Sequence, residues 1–254
     1  MTSVCWNGCS FTVGDGFPKD QRDQYIYDRL VSKHFDFEST NVAVSGSSNL
    51  EIFKRSAQVL LDNKYDILVT QWSALNRLWL YPGPDCFFFL NDDRFPDFSY
   101  RDIYIDPKTK NMLRDILLLL NHDYHNILAL IEYCRILECM STNTDTKIIF
   151  INGLVPWTKD LNCNFSSIDI GNQLSSYTKY ILDFDHRDDQ EIIGMFQNLQ
   201  DNFKKLNQSQ WVNIFDSMQS VHCDIGPEGH HPGVLSHKAM ADQISLYLTR
   251  NQIQ

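Results

Sequence analysis

SVCWNGCSFTVGDGF, residues 3–17, opens with an apolar run and breaks into a turn holding three glycines around a Cys-Ser pair. A short apolar run bounded by turn residues predicts a buried strand, and glycine allows a tight backbone path out of it. With a helix following, Ser10 stands just past the strand's carboxyl end, and the amides behind it can face an anion. Two readings fit this serine. It turns or caps the chain, as most serines beside a glycine do, or it presents its hydroxyl as a nucleophile.

The rest of the chain repeats the strand-then-helix rhythm. DQYIYDRLVSKHF (23–35) has amphipathic helical spacing, TNVAVSG (40–46) predicts a second strand ending in glycine, and NLEIFKRSAQVLLDN (49–63) again carries an apolar helical face. YDILVTQW (65–72) and TKIIFING (146–153) predict strands three and four, with a long helix over roughly 108–140 between them. WVNIF (211–215) predicts a fifth strand after a helix near 188–206, and LSHKAMADQISLYLTRN (235–251) a closing amphipathic helix. Alternating strands and helices imply right-handed crossovers and a five-stranded parallel sheet covered on both faces. Ligands of such sheets bind beyond the carboxyl ends of the strands. The irregular segments 80–107 and 154–187 follow strands and are long enough to act as lids or walls, within a single domain spanning 1–254.

Composition narrows the function classes. The net charge of −10, with no Lys/Arg run longer than two residues, opposes a phosphate backbone and so argues against nucleic acid. Seven cysteines at 5, 9, 86, 134, 139, 163 and 223 form no C-x-x-C pair, which fits free thiols in a reducing compartment. The start lacks the basic and apolar regions of a signal peptide, so the sequons at Asn164 and Asn207 carry little weight. The most apolar stretch is interrupted by His122, Asp123, His125, Glu132 and Arg135, which favours a buried helix over a membrane span. The expectation is a soluble, cytoplasmic protein.

Near the other end stands GPEGHHPGVLSH, residues 226–237. A serine hydroxyl needs a base, and the base needs an acid to hold its tautomer. Glu228 and His231 supply both on one loop before the last helix, although a plain Pro-Gly turn with surface histidines fits the same residues. His230 and His237 are alternative bases. The spacing to Glu228 and the following Pro232 favour His231.

Taken together, Gly8-Cys9-Ser10-Phe11-Thr12, Gly46 in AVSGSSN, and Glu228-x-x-His231-Pro232 resemble the ordered blocks of the SGNH (GDSL-type) hydrolases. The resemblance spans the chain as landmarks, without a long run of identity. It implies a three-layer α/β/α, flavodoxin-like domain with no metal or organic cofactor. It also implies Ser10 as nucleophile, His231 as base, Glu228 as its orienting acid, and Gly46 as an oxyanion-hole amide. Three departures accompany it. The Asp of Gly-Asp-Ser is Cys9, and the Asp of the last block is Glu228. Block three, normally Gly-x-Asn-Asp, reads TQWSALNR (70–77), leaving Ser73, Asn76 and Arg77 to replace an asparagine donor. Loss of one such donor costs about 10²–10³ in rate.

Other chemistry-bearing stretches have plainer readings. His122 and His125 in NHDYH fit a polar helix border better than a metal site. NDDRFPD (91–97) lacks the Gly and terminal Glu of an EF-hand, and Cys9 should point into the core, away from the Ser10 side chain. The functional expectation is an esterase for a small-molecule acyl ester, with an acyltransferase using the same acyl-enzyme, or a non-catalytic binding protein, as rivals. Oligomeric state is not legible.

Overall fold

The computed structural model describes residues 1–75, 77–78, 88–89, 123–153, 161, 189–213, 223–227, 229 and 231–253. Segments 80–107 (apart from 88–89) and 154–187 (apart from Leu161), and the expected helix before 123, lie outside them. The chain forms two compact units: Met1–Ala74, Tyr133–Pro156 and Asn207–Gln254 make the first, Leu75–Glu132 and Trp157–Leu206 the second.

The first unit is built on a parallel sheet of β1 (Ser3–Asn7), β2 (Glu38–Asn41), β3 (Ile67–Trp72) and β6 (Lys147–Asn152), in the order β2-β1-β3-β6. β3 is buried along its whole length and β1 from Val4 onward, which is why both read as near-continuous apolar runs. β2 lies at the edge and is nowhere fully buried.

Side chains alternate across a strand, so each strand reports which helix covers which face. On β1 and β3, Trp6 and Gln71 meet Tyr27 of α3 (Tyr27–Phe35): the rings of Trp6 and Tyr27 are 5.7 Å apart, and Tyr27 OH donates to Gln71 Oε1 at 3.3 Å. The alternate residues Asn7 and Thr70 meet Ser56 of α4 (Asn49–Asp62) at 2.8 and 2.9 Å. Helix α7 (Val234–Arg250) joins α3, with the His237 ring stacked 5.8 Å from Tyr27. The later half of α5 (Asp123–Ser141) joins α4 through a Phe53–Tyr133 stack at 4.6 Å. Helices therefore lie on both faces of the sheet.

The second unit contains the two-residue strands β4 (Arg77–Leu78) and β5 (Phe88–Phe89), paired antiparallel, the start of α5, and α6 (Asp189–Phe203). Asn198 donates to Tyr124 OH at 2.6 Å, and Gln200 to the Leu161 carbonyl at 3.2 Å. No helix among the described residues is long and apolar enough to cross a membrane.

Three expectations need correction. The sheet has four strands among the described residues, not five. Trp211 makes one parallel bridge to Phe150, directly after a 3₁₀ turn (Gln208–Gln210); residues 214–215 of the expected strand lie outside the described residues. The second strand lies two residues earlier than its apolar run, at 38–41; Val42 N and Val44 N still donate to the Trp6 and Gly8 carbonyls, and the chain turns only at 45–46. Asn41 accepts the Ala43 amide and Val44 the Ser47 amide, with Gly46 at φ 77°. The first helical stretch is two helices, α2 (Arg22–Tyr25) and α3, separated by an extended Ile26.

Two buried groups on this framework titrate in opposition. Asp28 of α3 accepts from Asn41 and lies 3.9 Å from Arg29 Nε, yet burial raises its pKa from 3.8 to about 6. His237 is 1% exposed between Tyr27 and Phe17, and burial, joined by His231 and opposed by Asp224, lowers its pKa from 6.5 to about 4. As pH rises from about 4 to 6, the folded chain keeps a proton on Asp28 that the unfolded chain has released, so stability falls. As pH drops from 6.5 to 4, the unfolded chain protonates His237 and the folded chain does not, so stability falls in that direction. Each contributes on the order of 3 kcal/mol across the window, and the two slopes offset. Urea unfolding from pH 4 to 7 should therefore show Asp28→Asn losing stability on acidification more steeply than wild type. His237→Asn should lose stability more steeply as pH rises. Parallel curves for all three proteins would contradict this account.

Candidate active site

β1 has β2 on one side and β3 on the other, so the chain leaves its end where the neighbouring crossovers diverge. In an open parallel sheet this is the switch point at which ligands bind. Ser10 lies there, three residues past Asn7, as the first residue of the short helix α1 (Ser10–Val13), and is 3% exposed. The turn is held from both sides. The Cys9 carbonyl accepts the Thr12 and Val13 amides, both at 3.0 Å, and the Ser10 carbonyl accepts Gly14 at 2.9 Å and Asp15 at 3.1 Å. Gly14 caps this helix with a left-handed φ of 76°. Among the described residues the Ser10 and Phe11 amides and the Ser10 hydroxyl make no hydrogen bond. Cys9 is fully buried.

Thr12 anchors α1 to the sheet. Its hydroxyl bonds Tyr27 OH at 2.8 Å and donates to Gln71 Oε1, and a Cβ at Gly8 would collide with that hydroxyl. A glycine before Cys9 is thus a packing requirement as well as a turn residue. Burial also pushes the Tyr27 phenol well above its usual pKa, so this network stays neutral.

His231 comes to the same turn from the other end of the chain. The described residues between Asp224 and Gly233 pair with one another: Gly226 donates to the His231 carbonyl at 2.8 Å, Gly233 to the Asp224 carbonyl at 3.0 Å, and Ile225 bridges Pro232. The His231 ring meets Phe11, the residue after Ser10, with centroids 6.0 Å apart. Backbone packs on backbone at Gly16, where a Cβ would lie 2.9 Å from the Pro232 carbonyl and 3.1 Å from His231 Cβ. Only glycine lets the two loops approach this closely.

The loop after β2 and the end of β3 complete the surroundings. Gly46 occupies the glycine position of a type II turn, and its amide makes no hydrogen bond among the described residues. Ser73 is 2% exposed just past β3; its amide donates to Asn49 Oδ1 at 2.7 Å, while its buried hydroxyl has no partner among the described residues. Asn49 holds that position from the first residue of α4, whose start is fixed by a Ser48–Glu51 capping box.

The structure thus places Ser10, His231, Gly46 and Ser73 in one unit, with Ser10 and His231 on contacting loops. Glu228, His230 and Asn76 lie outside the described residues, as does the Arg77 side chain; the Arg77 backbone belongs to the second unit. His237 is not an alternative base. Its Nδ1 accepts the Tyr27 amide at 3.3 Å and its ring is enclosed by Tyr27 and Phe17.

Asp224, which motif reading missed, holds the loop that carries His231. Its carboxylate accepts Leu235 N at 3.0 Å, Ser236 N at 2.9 Å and Ser236 Oγ at 2.8 Å. It caps α7 from ten residues upstream of that helix, outside the window in which a cap is normally sought, and so ties the His231 loop to α7. Among the described residues no group of three or more His, Cys, Asp or Glu could hold a metal.

No family model and no curated relative matches this chain. Solved structures similar over nearly its whole length include TesA, at 11% identity and a TM-score of 0.49, covering 98% of this chain and 99% of that one. A G-D-S-L family protein from Desulfitobacterium hafniense matches at 10% identity and 0.47, covering 98% and 100%. An acetyl xylan esterase from Geobacillus stearothermophilus matches at 11% and 0.48, covering 97% and 94%. At these identities and TM-scores the likeness assigns neither activity nor substrate.

Replacing Asp224 by Ala should lower unfolding stability by about 1–3 kcal/mol, since three donors lose one charged acceptor. Asp224→Asn, which retains one acceptor oxygen, should lose less. Thermal or urea denaturation checks both, and equal stability of the alanine variant and wild type would contradict the capping role.

Proposed function

We propose that the protein is a serine esterase of the SGNH type, acting on a small-molecule acyl ester through an acyl-enzyme on Ser10. The observation that carries this reading is the delivery of His231, by a loop 221 residues away, onto the turn that presents Ser10. A packing role alone would not require a histidine on a loop that meets the serine turn at the sheet's switch point.

In this mechanism Ser10 Oγ attacks the acyl carbonyl carbon while its proton passes to His231. The oxyanion forms beside the amides of Ser10 and Gly46, which make no hydrogen bond among the described residues and are strongest as donors where water is excluded. His231 then protonates the departing alcohol, and water releases the acid by the same steps in reverse roles. Glu228 is assigned the orientation of His231 on spacing alone. Ser73, whose buried hydroxyl lacks a partner among the described residues, is the preferred substitute for the block-three asparagine, with Asn76 and Arg77 as the other candidates. No metal or organic cofactor enters the scheme.

The absent Gly-x-Asn after β3 favours one rival, a binding protein on the same fold that has lost turnover. Steady-state hydrolysis of p-nitrophenyl acetate separates them. The esterase reading expects Ser10→Ala and His231→Ala to lower kcat by about 10⁴-fold with folding retained, and Glu228→Gln by less. Wild type that binds short esters without turning them over would support the binding protein instead.

A further inference from the structure

Arg55 sits on the face of α4 that otherwise buries Ile52, Ser56 and Val59 against the sheet. Its Nε donates to Asn7 Oδ1 at 3.1 Å, at the end of β1. Its Nη2 donates to the Gly8 carbonyl at 3.3 Å and to Ser47 Oγ at 2.6 Å. One planar group thus grips the backbone two residues before Ser10 and the turn residue immediately after Gly46. Ser47 passes the restraint on by donating to the Val44 carbonyl at 2.8 Å, and Val44 N closes the circuit on the Gly8 carbonyl at 3.3 Å.

Among the described residues Arg55 makes no ion pair. Glu51, one helical turn earlier, is committed to the Ser48 amide at 2.9 Å and acts on the guanidinium only through space. Arg55 is half-buried, and holding a cation there without an ion-paired carboxylate is costly unless its donors are satisfied and its charge meets an opposite one. The beneficiary suggested by position is negative charge developing between the two segments that Arg55 joins.

We propose that Arg55 is the positioning residue of the oxyanion site, setting the spacing between the Gly8–Ser10 turn and the Gly46 turn. This rests on the esterase reading above. A lysine at this place keeps the charge but cannot span three acceptors in a plane, so fork and charge are separable.

The test is steady-state hydrolysis of p-nitrophenyl acetate by wild type, Arg55→Lys, Arg55→Gln and Ser47→Ala, with folding followed by thermal melts. Arg55→Gln should lose about 10–100-fold in kcat, as expected for small misplacement of reacting groups, with KM changed less than about threefold. Arg55→Lys should recover part of that loss. Ser47→Ala, which removes one acceptor and keeps the arginine, should lower kcat several-fold even if the Arg55 variants fail to fold. An active wild type whose folded variants keep kcat within about twofold overturns the role of Arg55 and leaves the esterase reading standing. A wild type that hydrolyses no ester overturns both.

Discussion

β1 is hydrogen-bonded on both edges, to β2 on one side and β3 on the other, by parallel ladders with no free edge between. Parallel strands at each flank force the connections from β1 and to β3 over opposite faces of the sheet, since crossovers are right-handed. The space beyond the end of β1 is left open by that divergence, and the chain fills it with the Gly8–Ser10 turn. The glycines at 8, 14 and 16 follow from it: the first clears Thr12, the second closes α1, the third admits the His231 loop.

Around this point the molecule places an unusual density of buried polar groups. Asn7, Ser56 and Thr70 link β1, α4 and β3 on one face, and Thr12, Tyr27 and Gln71 link α1, α3 and β3 on the other. The Asn7–Ser56–Thr70 network fixes one geometry, because a shift that breaks one bond leaves its partner buried and unpaired, whereas in the other network Gln71 Nε2 has no partner among the described residues. Arg55 and Asp224 extend the same logic to the two loops that arrive from elsewhere in the sequence. The opposed titrations of Asp28 and His237 then let the framework tolerate mild acid even though both groups are buried.

Much of this was legible in the residues. The apolar runs at 3–7, 67–72 and 147–152 gave their strands, and the spacing in α4 and α7 gave their helices, because burial and periodicity coincide there. β2 and the break at Ile26 were not legible, since both are decided by partners far away: Asn41 holding Thr12 and Asp28, and Tyr27 N donating to His237. Ser10 and His231 stood out by type and by the glycines and proline beside them. Asp224, Asn49 and Arg55 did not, because each works across 8 to 48 residues of sequence through contacts that no local pattern encodes. Arg55 left one usable trace, a charge on a helix face otherwise destined for the core.

The proposed function stands or falls on Ser10 acting as a nucleophile activated from the other end of the chain. Reaction with a fluorophosphonate, followed by mass spectrometry of the digested protein, tests it most directly. The account predicts one adduct per chain on the peptide bearing Ser10, abolished in His231→Ala. An adduct on any other residue, or none on wild type, would contradict it.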